Sequence, residues 1–278
     1  MKAVFGLLGH PVSHSMSPLI HNDAFQSLEI EAEYHVFDVA PQVVKQAIDG
    51  IRALGIAGCN VTVPHKVAVM DYLDEIDNEA RLIGAVNTIV NDNGRLIGYN
   101  TDGRGYVESL LGCQQMLQNK RVLVIGAGGA ARGIVTSLLN EGIAALAITN
   151  RTLSKAEPFK QLADLFKTEI VLLTKEEATR RLVEFDIIIN TTSVGMSPNI
   201  EESPLLLETV KEHAIVSDLI YNPIETTFLK IAKNKGIQTL NGVGMFVNQA
   251  ALSFEYWTGQ KPNRKRMEQL VLQQLGGK

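Results

Sequence analysis

Residues 121–133 read Arg-Val-Leu-Val-Ile-Gly-Ala-Gly-Gly-Ala-Ala-Arg-Gly, and this stretch decides the fold. The apolar, β-branched run 122–125 predicts a short buried strand of a parallel sheet. Gly126, Gly128 and Ala131 follow it as G-x-G-x-x-A, and an alanine-rich stretch to Leu139 predicts a helix. Because a strand precedes the glycines and a helix follows them, the pattern indicates a dinucleotide-binding unit.

Each small residue of this pattern has a physical role in holding a pyrophosphate. Gly126 permits a tight turn, Gly128 lets the backbone approach the phosphates, and Ala131 lets the helix pack close to the strand. The free N–H groups and the positive dipole end of the helix then face the phosphates. The alternative interpretation is a glycine-rich turn that binds no ligand.

The end of the next predicted strand distinguishes between the two nicotinamide cofactors. Asn150-Arg151-Thr152 stands where an acidic residue would hold the ribose hydroxyls of NAD, and the sequence has no acid there. Arg151, with Thr152, Ser154 and Lys155, suits a 2′-phosphate because a guanidinium binds phosphate in bidentate fashion. This predicts NADP as the cofactor, and the alternative is a solvated arginine at the start of a helix.

Composition excludes several classes of protein. The chain has 278 residues, 45% of them hydrophobic and 20% charged, which is enough for two domains of ordinary size. A net charge of −4 without a basic block argues against a nucleic-acid partner. No apolar run reaches the length of a membrane span, so we expect no membrane partner. Two cysteines, Cys59 and Cys113, favour a reducing cytoplasm over a disulfide framework.

The order of predicted elements gives an α/β fold with two domains. Strands and helices alternate before the motif, and Asp92-Asn93-Gly94 predicts a hairpin, so we expect a mixed sheet there. Strand–helix alternation after the motif predicts a Rossmann-type doubly wound parallel sheet. C-terminal helices are expected to return to the first domain. The predicted boundaries are 1–101 completed by 246–278 for a substrate-binding domain, and 102–245 for the NADP-binding domain.

Two local predictions in the first domain depend on proline. Ser17-Pro18 predicts an N-cap followed by proline at the first helical position, with a helix to about Leu28. A second helix is predicted from about His65 to Leu73, directly after Pro64.

Several polar residues of the first domain are candidates for chemistry. Lys66 follows a strand and can act as a general acid if its neighbours tune it, although a solvated lysine is the commoner case. Asp102 is either a functional carboxylate or a cap of the next helix. The histidines 10, 14 and 21 suggest a metal, but Pro11 and Pro18 prevent them from sharing a helix face, so no metal site is predicted.

The chain resembles the shikimate dehydrogenase family in long stretches that follow the family's order. The matching motifs are Gly9-His-Pro-Val-Ser-His-Ser-Met-Ser-Pro-Leu-Ile-His-Asn22, Asn60-Val-Thr-Val-Pro-His-Lys66, Gly84-Ala-Val-Asn-Thr88, Gly98-Tyr-Asn-Thr-Asp102, Gly126-Ala-Gly-Gly-Ala130, Asn150-Arg-Thr152, Asn190-Thr-Thr-Ser-Val-Gly-Met196, Asp218-Leu-Ile-Tyr-Asn-Pro223 and Gly242-Val-Gly-Met-Phe-Val-Asn-Gln249. They span nearly the whole chain, and no position that the family uses for chemistry departs from the pattern.

The resemblance implies reversible, NADPH-dependent reduction of 3-dehydroshikimate to shikimate, in the synthesis of aromatic amino acids. It implies that Lys66 and Asp102 are catalytic. The implied substrate-binding residues are Ser15, Ser17, Thr62, Lys66, Asn87, Asp102, Tyr221 and Gln249. The implied NADP-binding residues are Asn78, Gly126, Ala127, Gly128, Gly129, Ala130, Asn150, Arg151, Thr152, Leu153, Ser154, Lys155, Leu219, Gly242 and Met245. The sequence leaves open whether such an enzyme is a monomer or a homodimer.

Three alternatives remain at this level. A quinate/shikimate dehydrogenase that uses NAD would carry an acid where this chain has Arg151. Another two-domain dehydrogenase, acting on folate or amino acids, would not need the Ser15 and Ser17 segment. A non-catalytic sensor on the same scaffold would be indicated by loss of Lys66 or Asp102, and both are present.

Overall fold

A computed structural model describes residues 2–114 and 116–276 of the chain. The strands of the two sheets are β1 (Ala3–Gly9), β2 (Ala32–Asp38), β3 (Gly58–Val61), β4 (Glu75–Ile76), β5 (Thr88–Asp92), β6 (Arg95–Tyr99), β7 (Arg121–Ile125), β8 (Ala145–Thr149), β9 (Glu169–Leu173), β10 (Ile187–Asn190), β11 (Ile215–Asp218) and β12 (Gln238–Leu240). The α-helices are α1 (Ser17–Ser27), α2 (Val44–Leu54), α3 (Asn78–Ile83), α4 (Asp102–Leu111), α5 (Gly129–Asn140), α6 (Gln161–Phe166), α7 (Lys175–Arg180), α8 (Thr227–Asn234), α9 (Val243–Thr258) and α10 (Arg264–Gln274).

The chain divides into two compact units. Unit 1 consists of Met1–Gly105 with Val247–Lys278, and unit 2 of Tyr106–Phe246. The observed divisions therefore fall within α4 and α9, a few residues from the positions that the sequence predicts. The assignment of one unit to substrate and the other to cofactor is a separate prediction, which the division itself does not address.

Unit 1 contains a mixed six-stranded sheet with the order β2-β1-β3-β5-β6-β4. The strands β1, β2 and β3 run parallel to one another, whereas β5 is antiparallel to both β3 and β6. The predicted hairpin joins β5 to β6, and its turn residues Asn93 and Gly94 both have positive φ, as a tight two-residue hairpin turn requires. Phe254 and Trp257 of α9 pack with Phe5 and Phe25 on one face of this sheet.

Unit 2 contains a parallel six-stranded sheet with the order β12-β11-β10-β7-β8-β9. Numbered from β7, this is the 3-2-1-4-5-6 order of a doubly wound dinucleotide-binding sheet. Alternate residues of β7 feed two cores, because Val122 and Val124 belong to one buried cluster and Leu123 and Ile125 to the other. The predicted fold class is therefore confirmed.

Two local predictions in unit 1 are wrong. The helix α1 begins at Ser17 itself, and the preceding Met16 occupies the cap position. The segment after Pro64 forms only a 3₁₀ turn over Ala68–Tyr72. An α-helix there would use the Lys66 carbonyl for its own ladder, but that carbonyl accepts a hydrogen bond from the Val86 N–H at 2.8 Å. The loop before β5 therefore takes the bond that an α-helix would need.

Two kinds of feature have no candidate in the part of the chain that the structure describes. Within residues 2–114 and 116–276, no helix is long and apolar enough to cross a membrane. Within the same ranges, no group of three or more His, Cys, Asp or Glu side chains is placed to hold a metal ion.

Candidate active site

The sheet of unit 1 brings four separate loops to one of its edges. Leu8 near the end of β1 pairs with Val61 at the end of β3, so the loops that follow these two strands begin side by side. Thr88 at the start of β5 pairs with Asn60 of β3 and with Tyr99 at the end of β6. The segments 10–17, 62–66, 85–87 and 100–102 are therefore neighbours, although they are far apart in sequence.

Lys66 and Asp102 form an ion pair at this edge. The Lys66 Nζ lies 2.5 Å from Asp102 Oδ2, and the two side chains are only 22% and 9% exposed. Both backbones are anchored, since the Lys66 carbonyl accepts from the Val86 N–H and the Asp102 N–H donates to Asn100 Oδ1 at 3.1 Å. A largely desolvated, hydrogen-bonded pair of this kind is strong compared with a surface ion pair.

The amide of Asn87 completes the hydrogen bonding of the aspartate. Asn87 Oδ1 accepts the Thr101 N–H at 2.8 Å, and this fixes the amide so that Nδ2 faces Asp102. The Nδ2 then donates to Asp102 Oδ1 at 2.8 Å. One carboxylate oxygen thus receives an amide and the other an ammonium, so the carboxylate holds the ammonium in a single position.

The serines lie where the loop after β1 enters α1. The Ser15 and Ser17 hydroxyl oxygens are 3.2 Å apart, and the Ser17 N–H donates to Ser15 Oγ, also at 3.2 Å. Ser15 therefore takes the local acceptor role at the helix start that the sequence assigns to Ser17. The loop approaches Thr62 closely because residue 9 is glycine, where a Cβ atom would lie 2.3 Å from Thr62 Cγ2.

Gln249 belongs to the same unit through α9. Its carbonyl oxygen accepts a hydrogen bond from Thr101 Oγ1 at 3.0 Å, and Thr101 directly precedes Asp102 in the sequence. The close approach of α9 to α4 requires glycine at position 105, because a Cβ atom there would lie 2.6 Å from the Gln249 nitrogen.

In unit 2, the loop between β7 and α5 provides a place for an anion. Gly126 has a φ of +117°, and a Cβ atom on it would lie 2.5 Å from Thr191 Oγ1. Gly128 and Gly129 are exposed, and among the described atoms none lies within 4 Å of a Cβ atom built on either. The first turn of α5, which lies wholly within the described residues, carries no acidic side chain. Open space beside free N–H groups at a helix N-terminus fits a pyrophosphate.

The end of β8 fits a further phosphate. Asn150 Nδ2 donates to the Thr152 carbonyl at 2.7 Å and closes the turn after the strand. Leu153 of this turn is half-buried. Four polar side chains of the turn are exposed: Arg151, Thr152, Ser154 and Lys155. Two cations without a neighbouring acid in the segment 150–155 suit the 2′-phosphate of NADP better than the free ribose of NAD.

The remaining predicted residues of unit 2 lie near the carboxyl ends of β11 and β12. Gly242 must be glycine, since a Cβ atom would lie 2.0 Å from the Leu219 carbonyl oxygen. Met245 and Leu219 pack against the same buried cluster. The Tyr221 ring lies 5.0 Å from that of Phe246, and burial raises the pKa of its phenol.

Comparison with known proteins agrees with this arrangement of residues. Family models match residues 7–89 as a shikimate dehydrogenase substrate binding domain, 109–219 as a shikimate/quinate 5-dehydrogenase and 242–272 as a shikimate 5′-dehydrogenase C-terminal domain. The shikimate dehydrogenase (NADP+) of Geobacillus kaustophilus (strain HTA426) is 56% identical over 276 residues, which is 99% of each chain.

This chain belongs to the shikimate dehydrogenase family.

Solved structures of family members agree in fold as well as in sequence. A crystal structure of a shikimate dehydrogenase in complex with NADP+ is 43% identical, with a TM-score of 0.94 over 99% of this chain and 96% of that one. The shikimate 5-dehydrogenase of Thermus thermophilus, in complex with NADP(H) and shikimate, is 35% identical, with a TM-score of 0.88 over 98% and 99% of the two chains.

Among the residues predicted for a shikimate dehydrogenase, two groups are joined by hydrogen bonds. Hydrogen bonds join Lys66, Asn87 and Asp102, and a second set joins Ser15 to Ser17. Tyr221 belongs to unit 2, whereas the other predicted substrate residues belong to unit 1. Asn78 is the exposed first residue of α3 in unit 1, apart in sequence from the other predicted cofactor residues.

The sequence predicts no catalytic or binding role for four buried polar residues beside this site: Asn60, Thr88, Thr101 and Ser253. A signal for two of them was available. Asn60 interrupts the otherwise apolar end of β3, and Ser253 stands within the apolar run of α9. A polar residue in such a run is expected to have a buried hydrogen-bond partner.

Proposed function

We propose that this chain catalyses the reversible, NADPH-dependent reduction of 3-dehydroshikimate to shikimate. The observation that carries the proposal is the Lys66–Asp102 pair, held by Asn87 at the edge of the unit 1 sheet where the Ser15 and Thr62 loops also lie. A sensor protein that only binds a ligand would have no need of an oriented ammonium.

The chemistry needs a proton at the atom that gains charge. When bound, NADPH supplies the hydride that reduces the ketone. The carbonyl oxygen then becomes an alkoxide, and the Lys66 ammonium is the group we assign to protonate it and to stabilise its developing charge. Asp102 holds that ammonium in place. In the oxidation of shikimate the same nitrogen takes the proton from the hydroxyl.

Binding of substrate is assigned to groups that suit a carboxylate with several hydroxyls. Ser15 and Ser17 offer hydroxyl donors for the carboxylate, and the amides and phenol suit the ring hydroxyls. The full set proposed to contact substrate is Ser15, Ser17, Thr62, Lys66, Asn87, Asp102, Tyr221 and Gln249.

NADP is assigned to unit 2 on the fit of its loops to phosphate. The loop 126–130 would hold the pyrophosphate and residues 150–155 the 2′-phosphate. Asn78, Leu219, Gly242 and Met245 complete the proposed set. We also propose a cytoplasmic enzyme, monomer or homodimer, without nucleic-acid or membrane partners; two cysteines and a mildly acidic charge support this.

The direct test is an assay of purified protein with shikimate and NADP+, in which NADPH formation is followed by absorbance. Quinate and NAD+ are run in parallel. We expect a higher kcat/KM for shikimate with NADP+ than for any other combination. Absence of turnover with shikimate and NADP+ would refute the proposal, and a preference for NAD+ would refute the assignment of Arg151.

A further inference from the structure

A chain of buried hydroxyl and amide groups runs through unit 1 from Tyr34 to Asp102. Its intermediate members are Asn60 of β3, Ser253 of α9, Thr88 of β5 and Asn87. These four residues are at most 5% exposed. Only Asn87 has a role in the reaction proposed above. A polar chain of this length inside an apolar unit requires an explanation, because each buried group that loses its partner costs stability.

The first half of the chain has a fixed direction. The Tyr34 hydroxyl donates to Asn60 Oδ1 at 2.8 Å. This orients the Asn60 amide so that Nδ2 donates to Ser253 Oγ at 2.9 Å. The same nitrogen lies 3.2 Å from the Asn87 carbonyl, so both of its hydrogens have acceptors.

The second half has the same direction. The Ser253 hydroxyl has two acceptors within reach, the Gln249 carbonyl at 3.0 Å and Thr88 Oγ1 at 2.7 Å. Because the Thr88 hydrogen is used on Asn87 Oδ1, which can only accept, the shorter contact is a hydrogen bond in which Ser253 donates. The Thr88 hydroxyl then donates to Asn87 Oδ1 at 2.8 Å. That oxygen also accepts the Thr101 N–H, and the Asn87 amide donates to Asp102.

With this assignment each side chain from Tyr34 to Asn87 donates one hydrogen bond to the next member, and Asn87 donates to the carboxylate of Asp102. Hydrogen bonds aligned in one direction polarise one another, and the effect is larger in a low-dielectric interior. The Asn87 amide is thereby held by its oxygen from two sides, and its nitrogen cannot turn away from Asp102.

We propose that Asn60, Thr88 and Ser253 are positioning residues for the reaction: they hold the Asn87 amide on Asp102 and so fix the direction of the Lys66 ammonium. The inference rests on the proposed function, since it concerns the rate of that reaction. It assigns a role in catalysis to three side chains that do not contact Lys66 or Asp102 themselves.

The test compares Thr88→Val with Thr88→Ser. The valine removes the hydroxyl at nearly the same size, whereas the serine keeps it. We expect Thr88→Val to lower kcat for shikimate oxidation by roughly 3- to 10-fold, the range of one or two hydrogen bonds, and Thr88→Ser to stay close to wild type. Ser253→Ala, which breaks the same chain at another point, should lower kcat by a similar factor.

A matched control on α9 separates positioning from packing. Thr258 Oγ1 donates to the Phe254 carbonyl at 2.8 Å, as a hydroxyl of α9 that lies outside the chain. Thr258→Val should therefore keep the wild-type kcat even if its melting temperature falls. The single tryptophan, Trp257, reports by its fluorescence whether each variant is folded.

A double variant gives the sharpest outcome. Because Thr88 and Ser253 act in series on one amide, Thr88→Val with Ser253→Ala should be little worse than the poorer single variant. Multiplied losses, a wild-type kcat in Thr88→Val, or an equal loss in Thr88→Ser would each overturn the inference. Absence of shikimate turnover in the wild-type protein would instead overturn the proposed function, so the two failures are distinguishable.

Discussion

At the scale of single residues, the site depends on where charge is placed and what surrounds it. The chain contains exposed ion pairs such as Lys45–Asp49, whose atoms are 2.7 Å apart, and the enclosed pair Lys66–Asp102. Water screens the exposed pair, which contributes little to stability. The enclosed pair keeps its geometry because Asn87 and the neighbouring backbone bonds hold both partners. The same residue type, lysine, therefore has different consequences at the two positions.

Arg151 allows a test of cofactor choice at one residue. If its guanidinium pairs with the 2′-phosphate, Arg151→Ala should lower kcat/KM with NADP by about 10- to 150-fold, the equivalent of one charge-assisted contact, and change kcat/KM with NAD far less. Arg180→Ala serves as a matched control, since Arg180 is an exposed arginine of α7 in the same unit. Steady-state kinetics with both cofactors measure the effect. Equal losses with NADP and NAD would reject the role.

At the scale of elements, the sequence predicted structure best where local pattern and tertiary contacts favour the same answer. The strand, turn and helix around Gly126 are of this kind, as is the hairpin at Asn93-Gly94. The α-helix predicted over 65–73 is wrong because the carbonyl of Lys66 is used by Val86, a contact that no local pattern reveals. The strand β9, Glu169–Leu173, has a β-forming run that local pattern can detect, whereas β4 has only two residues, too few for any sequence pattern.

The start of α1 shows why the sequence assigns the wrong role to Ser17, which it predicts to be the N-cap. Ser15-Met-Ser17-Pro contains two serines two residues apart, and the hydroxyl of either could accept a backbone N–H at the start of the helix. The backbone decides in favour of Ser15, whose Oγ accepts the Ser17 N–H. The partners within the chain Asn60–Ser253–Thr88 could not be predicted either, because Ser253 is 193 residues from Asn60 and no spacing rule relates them.

This correction changes what each serine variant should do. Ser15→Ala removes the acceptor of the Ser17 N–H, so it should lower the free energy of unfolding by about 1 kcal/mol, the size of one hydrogen bond, and also raise KM for shikimate. Ser17→Ala should raise KM for shikimate with a smaller loss of stability. Urea titration and steady-state kinetics measure the two effects. A larger loss of stability in Ser17→Ala than in Ser15→Ala would contradict the observed helix start.

At the scale of the whole molecule, each unit has its own buried core. Unit 1 contains the only tryptophan of the sequence, Trp257, which packs among Phe5, His21 and Tyr34. Its fluorescence therefore follows the unfolding of unit 1. The same signal can therefore measure how the buried His21, which contacts Trp257, affects the stability of unit 1.

The stability of unit 1 should depend on pH through His21. The imidazole stacks on Tyr34 with ring centroids 4.4 Å apart, and burial lowers its pKa to about 3. An unfolded histidine has a pKa of about 6.5, so below that pH the unfolded chain binds a proton that the folded unit excludes. Stability is therefore full above about pH 6.5 and is lost as the pH falls toward about 3.

The expected size is about 2 kcal/mol between pH 7.5 and pH 5, at 1.36 kcal/mol per pH unit below the unfolded pKa. His21→Phe should flatten this dependence, because phenylalanine keeps the stacking and removes the proton site. Denaturant titrations followed by Trp257 fluorescence give the free energies, and an unchanged slope in His21→Phe would contradict the assignment.

The central claim is that Lys66 supplies the proton in the chemical step, and the kcat of Lys66→Ala tests it most directly. General acid catalysis contributes roughly 10²–10⁴-fold. We expect kcat for shikimate oxidation to fall by at least about 10²-fold, while KM for shikimate changes far less, because the contact acts in the transition state. Lys45→Ala, which removes an exposed lysine of the same unit, should leave both constants unchanged. A Lys66→Ala enzyme with near-normal kcat and a raised KM would contradict the account and reduce Lys66 to a binding residue.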